Sequence, residues 1–169
     1  MHTYTSGSGV EVAPSGVTIC VVELCASGGP GARGRISGNE PSGGGGGGSG
    51  GYAKTSVACT AGDTFPWLIG LNYQNSVVSG GTISTMTCTP GGMGMHTSPY
   101  SGGAGGAASG GSITNTGGNP GSDGGTGGPG TGGAGIVGTN GTGSPGGNGT
   151  YYNGTPGTGQ PGKAIFAFS

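Results

Sequence analysis

Charge is scarce in this chain: of 169 residues only four are Lys or Arg and five Asp or Glu, for a formal net charge of -1. The cations, Arg33, Arg35, Lys54 and Lys163, form no stripe. A nucleic-acid partner needs clustered basic residues to neutralise phosphates, so that class is excluded. Long apolar runs are missing too. None approaches the ~20 residues of a membrane-spanning helix, and no membrane insertion is expected. The opening "MHTYTSGSGV" has neither a charged n-region nor an apolar h-region, so it does not read as a signal peptide. Histidine is confined to His2 and His96, and the carboxylates Glu11, Glu23, Glu40, Asp63 and Asp123 are dispersed. No catalytic triad, paired-carboxylate site or calcium loop can be drawn from them. The expectation is therefore a protein that is not an enzyme, with no catalytic residue, metal or cofactor.

Aromatic residues make up 6% of the chain, a thin supply for a core of ordinary size. The cysteines Cys20, Cys25, Cys59 and Cys88 match no zinc spacing. Their even number permits disulfides. All of them lie in apolar, strand-like text, and buried free thiols acting as small hydrophobes are the favoured reading.

What the chain does contain falls into two kinds of text. The first ninety or so residues read as short strands: "HTYTS" (2–6), "VEVAP" (10–14), "VTICVVELC" (17–25), "YAKTSVACT" (52–60), "DTFPWLIGL" (63–71) and "GTISTMTCT" (81–89). The third is richest in β-branched residues and long enough to be central. In the fourth, Ala53, Thr55, Val57 and Cys59 share a face. Pro66 marks the fifth as an edge or a bulge. Turn text at 14–16, 61–63 and 79–81 separates the strands, and no segment has helical periodicity with caps. Glu23 in the central strand is out of place, and a polar contact at a subunit interface would explain it. A closing "GKAIFAFS" needs a sheet to join, and only the first half offers one.

The second kind of text is glycine, 50 residues of it, including six in a row in "PSGGGGGGSGGYAKTSVAC" (41–59). Glycine loses more conformational entropy on folding than any other residue, and the default for Gly/Ser/Pro/Thr text is disorder. The phase argues otherwise. There is no strict Gly-X-Y repeat, which excludes collagen, but "GGAGGA" (102–107) and "GGTGGPGTGG" (124–133) keep a local triplet. Polyproline-II helices have three residues per turn and no internal hydrogen bonds. Where two faces in three carry only hydrogen, such helices pack closely and bond backbone to backbone, helped by Cα–H···O contacts. These stretches are expected to be ordered and packed side by side. "MGMHTSPY" and "NGTYYNGT" interrupt the glycine with Met93, Met95, His96, Tyr100, Tyr151, Tyr152 and Asn153. Aromatics among Asn, Ser and Gly have the chemistry of adaptable binding loops, or fill gaps where glycine tracts meet.

Several motifs tempt and fail. Gly29-Pro30-Gly31-Ala32-Arg33-Gly34 spells G-x-G-x-x-G, but glycine-rich text follows where a helix would have to support a pyrophosphate. "GTGQPGKA" (157–164) has Ala164 where a P-loop needs Ser or Thr. Asn-Gly-Thr at Asn140, Asn148 and Asn153 is what Gly/Asn/Thr bias produces.

The expected fold is all-β: a small β-sandwich of about six to eight strands with a glycine-rich, polyproline-II-like excursion and essentially no α-helix. Residues 1–90 supply sandwich strands with a glycine-rich insertion at 28–51. Residues 91–162 form the glycine-rich region with its loops, and 163–169 close the sandwich, all as one structural unit.

The order of parts resembles the glycine-rich domain recurrent in bacteriophage tail proteins. The resemblance rests on Pro14-Ser15-Gly16-Val17, Glu23-Leu24-Cys25-Ala26-Ser27-Gly28-Gly29, Gly50-Gly51-Tyr52-Ala53-Lys54 and Ala61-Gly62-Asp63-Thr64-Phe65. Leu24-Cys25 stand where that pattern has Trp and Gly. The resemblance covers nearly the whole chain. It implies a virion protein of a tail fibre, tail tip or adhesin, assembled in the host cytoplasm, whose loops between glycine helices contact a host-surface glycan or outer-membrane protein. It also implies other virion proteins as partners and a homo-oligomer, a trimer above all. The alternative is a purely structural virion component, a capsid decoration or fibre-capping protein. Ice binding is weaker, because regular Ala/Thr spacing is kept only briefly.

Overall fold

The computed structural model describes residues 1–37, 40–71, 73–97, 99–125, 129, 137–138, 141–142 and 154–169. In chain order the strands are β1 (His2–Tyr4), β2 (Gly7–Val12), β3 (Ile19–Cys25), β4 (Arg35–Ser37), β5 (Glu40–Ser42), β6 (Tyr52–Ala58), β7 (Thr64–Ile69), β8 (Ser76–Val78), β9 (Met86–Cys88), β10 (Ala108–Ser109), β11 (Thr114–Thr116), β12 (Val137–Gly138), β13 (Gly141–Thr142) and β14 (Lys163–Phe168). Ten of them form two antiparallel five-stranded sheets, ordered β1-β14-β3-β6-β11 and β10-β9-β8-β7-β2. β4–β5 and β12–β13 are separate hairpins. No helix occurs among the described residues, and none is long and apolar enough to cross a membrane.

Alternation decides which side chains meet between the sheets. Cys20, Val22 and Leu24 of β3 point inward beside Ala53 of β6 and Ala164 and Phe166 of β14; Phe65, Trp67 and Ile69 of β7, with Val78, Met86 and Cys88, face them. Phe65 and Phe166 lie 6.3 Å apart between ring centroids, and Tyr4 stacks on Trp67 at 4.2 Å. Each large side chain so buried stabilises the fold by about 1.5–3 kcal/mol. The C-terminal strand lies between β1 and β3, with Phe166 opposite Val22.

Three details differ from the sequence reading. The sandwich has ten strands rather than six to eight, because β8, β10 and β11 are two or three residues long, too short to show a period. Text 81–89 yields a strand only at Met86–Cys88, because Gly80 and Gly81 have φ of 92° and 54° and turn the chain through Ile83. β7 is not an edge; it lies between β8 and β2. Pro66 is tolerated because β8 has ended at Val78, and its carbonyl accepts the Ser79 N–H instead (3.0 Å).

At one end the strands run into glycine tracts. Tracts 26–34, 43–51, 117–125 and 157–162 prolong β3, β6, β11 and β14 and keep their lateral order; 89–95 and 100–107 prolong β9 and β10. Tract 43–51 is buried along its whole length. The N–H groups of Gly43, Gly46 and Ser49 donate to the carbonyls of Gly125, Ser122 and Asn119 (2.8–3.0 Å), and those of Gly45, Gly48 and Gly51 to Met95, Gly92 and Thr89 (2.9–3.1 Å). Its carbonyls at 45, 48 and 51 accept from Ala32, Gly29 and Ala26, and those at 46 and 49 from Gly103 and Gly106. A strand would alternate every second residue. Here each direction recurs every third, the mark of a helix with three residues per turn.

Glycine is needed because the neighbours are so close. A Cβ on Gly44, Gly47 or Gly50 would lie under 3.0 Å from the carbonyls of Ala32, Gly29 and Ala26, and one on Gly45, Gly48 or Gly51 equally close to those of Ser101, Ala104 and Ala107. The Cα hydrogens occupy those directions and make Cα–H···O contacts. In the sandwich, sheets stand about 10 Å apart because side chains fill the gap. In the bundle the same two layers bond directly. The triplet in "GGAGGA" now has a cause: Gly103 and Gly106 are buried, while Ala104 and Ala107 face solvent. Most of "GGTGGPGTGG" lies outside the described residues. Gly125 within it does not fit the packed expectation: nothing lies within 4 Å of an added Cβ, and only its φ of 151° disfavours other residues.

Candidate binding surface at the tip of the glycine bundle

The hydrogen-bond ladder fixes height along the bundle. Ala26, Gly51, Thr89 and Ala107 are bonded at the level nearest the sandwich; Gly29, Gly48, Gly92 and Ala104 come next; Ala32, Gly45, Met95 and Ser101 are farthest. At about 3.1 Å per residue, tract 43–51 spans ~28 Å. The connections beyond the last level therefore sit at a tip remote from the hydrophobic core. They are the β4–β5 hairpin between 26–34 and 43–51 and the turn between 89–95 and 100–107.

Residues 95–101 make a tight turn. The Met95 N–H donates to the Ser101 carbonyl (2.8 Å) and the Tyr100 N–H to that of Thr97 (2.6 Å). Tyr100 takes a φ of 57° to close it, and its side chain is buried. Tyr100 is thus a filler, whereas Met93 and Met95 are 53% and 49% exposed and His96 is exposed beside them. Pro90, Met93 and His96 are spaced by three, so Met93 lies one turn below the tip on the flank. The turn is tied to its neighbours: Gly124 N–H donates to the Tyr100 carbonyl (2.9 Å), and Asp123 Oδ1 accepts from Gly102 N–H (2.8 Å). Tyr151, Tyr152 and Asn153 lie outside the described residues.

Sequence reasoning missed Arg33 and Arg35. Both are exposed, and Ala32 shares the farthest level with Gly45 and Met95. Half the basic residues of the chain therefore stand at the tip. Their signal was a single i, i+2 pair within glycine text, which acquires meaning only once the bundle's height is known. The surface combines flexible thioethers, an imidazole and two guanidiniums suited to anionic oxygen.

The two buried carboxylates of the sandwich, Glu11 and Glu23, have structural partners. Glu23 has partners within the chain: Lys54 Nζ, directly opposite on β6, lies 3.1 Å from Oε1, and the Tyr52 hydroxyl donates to Oε2 at 2.8 Å. Burial, then the bond to Glu23, raises the Tyr52 pKa. Glu11 joins the two sheets at one edge, held by His2 Nδ1 at 2.7 Å and the Tyr4 hydroxyl at 2.5 Å. That bond, above all, raises the Tyr4 pKa. All four cysteines are buried, and none is in a disulfide. Burial pushes Cys20 and Cys88 up to about 12, and Cys59 upward as well. Among the described residues no group of three His, Cys, Asp or Glu could hold a metal ion.

No protein-family model matches the chain, and no curated protein matches it.

Proposed function

We propose that the chain is a component of a bacteriophage tail, as a fibre, tail-tip or adhesin subunit, and that the tip of its glycine bundle contacts the host cell surface. The observation that carries this reading is the placement of Met95, His96, Arg33 and Arg35 at the far end of a bundle with fixed backbone bonding. Binding groups on loops held by a rigid scaffold are a recurring solution to recognition. Cationic and thioether side chains suit an anionic surface glycan or an outer-membrane protein. Assembly as a homotrimer with other virion proteins belongs to the same proposal.

The test is adsorption of the purified protein to intact cells and isolated envelopes from a panel of bacteria. Saturable binding to some members, lost in an Arg33→Ala, Arg35→Ala, His96→Ala triple variant that keeps its melting point, supports the proposal. Binding to none, or binding that survives the triple change, contradicts it. A purely structural virion role is the second reading. It is favoured by one outer sheet face, where Val10, Val12 and Leu68 are 55%, 50% and 41% exposed. Under that reading the protein binds no envelope yet self-associates in light scattering.

A further inference from the structure

The bundle is a lattice, and among the described residues one position in it is open. Tract 89–95 nests between 26–34 and 43–51, bonding to both, and tract 100–107 nests likewise between 43–51 and 117–125. The next position in that row lies between 157–162 and 26–34, which are themselves joined by Gly28 N–H to the Gln160 carbonyl and Gly31 N–H to that of Gly157 (both 3.0 Å). β8, the neighbour of β9, would lead into it. Instead β7 and β8 are joined by a short turn, closed by Gln74 N–H on the Leu71 carbonyl (3.1 Å) and Gly70 N–H on Ser76 Oγ (3.2 Å). What remains is a groove of 370 Å³, floored by Gly28 and Gly159, flanked by Pro30 and Pro161, with Leu71 and Tyr73 at its sandwich end.

Two further observations mark the groove as built for an occupant. Tyr73 holds a φ of 70°, a strained conformation for an aromatic residue, and the residue is 55% exposed. Strain of this kind persists where the surroundings enforce it and clusters at binding sites. The walls are also of the type that receives extended helices. Polyproline-II ligands dock in grooves lined by aromatic and apolar side chains, with little ordering cost because the ligand helix is preformed.

We propose that this groove binds a glycine- and proline-rich segment of a partner polypeptide in the polyproline-II conformation. The segment takes the open lattice position, glycine hydrogens against the Gly28–Gly159 floor and a proline ring against Tyr73. The proposal is independent of host contact, because the groove lies beside the sandwich end of the bundle.

The experiment titrates isotope-labelled protein with a capped Gly-Gly-Pro repeat peptide, and separately with a Gly-Ser peptide of equal length. The expected result is saturable shifts of the Gly28, Tyr73 and Gly159 amides with the first peptide and none with the second. Tyr73→Gly removes the ring while suiting the positive φ, and weakens binding about tenfold, as loss of a central aromatic anchor does. Thr158→Trp, which fills the groove from its exposed wall, abolishes binding and serves if the first variant misfolds. No saturable shift up to about 1 mM peptide overturns the proposal. So do equal binding of both peptides, full affinity in Tyr73→Gly or Thr158→Trp, and shifts explained by self-association of the protein.

Discussion

The two halves of this molecule share their chain directions and lateral order but are held together by opposite means. In the sandwich, side chains such as Leu24, Phe65 and Phe166 fill the space between sheets and the backbone bonds only sideways. In the bundle, the backbone bonds sideways and across, Gly48 donating to Gly92 and accepting from Gly29, and the one side chain within the central tract 43–51 is that of Ser49, whose hydroxyl accepts from the Asn119 N–H. One core is stabilised by what its residues add, the other by what they omit. The sandwich should therefore be sensitive to truncation and the bundle to enlargement.

The largest effect is expected at the centre of the bundle. Gly48→Val would place a side chain against the Ala104 carbonyl. Two or three buried backbone groups would lose partners, each costing about 2 kcal/mol, for a total of roughly 4–6 kcal/mol. Thermal melting checks this, and Gly103→Val, aimed at the Gly92 carbonyl, should behave alike. Next comes truncation in the sandwich: Phe166→Ala should cost about 3–5 kcal/mol in denaturant unfolding. If Gly48→Val proved milder than Phe166→Ala, the asymmetry between the halves would be refuted.

Alkaline stability sharpens the comparison, since the raised thiols and phenols all belong to the sandwich or its junction with the bundle. A group whose folded pKa lies above its unfolded value stabilises the native state fully below the unfolded pKa. That contribution disappears as pH rises through the folded pKa. Cys20 and Cys88 move from 9.0 up to about 12, and Tyr4 and Tyr52 upward from 10.0. The melting point should hold up to about pH 9 and fall steadily between about pH 9 and 12. Disulfide-exchange reagents at pH 8 should leave Cys20 and Cys88 unlabelled in the folded protein. The smallest effect is expected at Ala104→Val, within about 0.5 kcal/mol, because this third position of its triplet faces solvent.

The legible part of the fold was whatever carried a period long enough to see. β3 announced itself through Ile19–Val22, and the terminal Phe166 and Phe168 demanded a sheet. The triplet of 102–107 disclosed a threefold helix, since Ala recurs only where solvent admits a methyl group. β8, β10 and β11, of two or three residues, left no pattern, the last two hidden within glycine-rich text. Pro66 misled because its strand is internal while its ladder partner stops short. Of the candidate site, Met93, Met95 and His96 stood out as side chains amid glycine. Tyr100 looked the same in sequence, and only its φ and burial distinguish a filler from a surface residue. Arg33 and Arg35 could not be placed, because nothing in the local text encodes height along a bundle assembled from widely separated tracts.

Amide hydrogen exchange tests the backbone-bonded bundle most directly. If the glycine tracts form a core, the amides of Gly46, Gly48 and Ser49 should exchange as slowly as those of Val22 and Thr55, with protection rising to that of global unfolding. Exchange of Gly46, Gly48 and Ser49 at the rate of an unstructured chain, while Val22 and Thr55 stay protected, would contradict it.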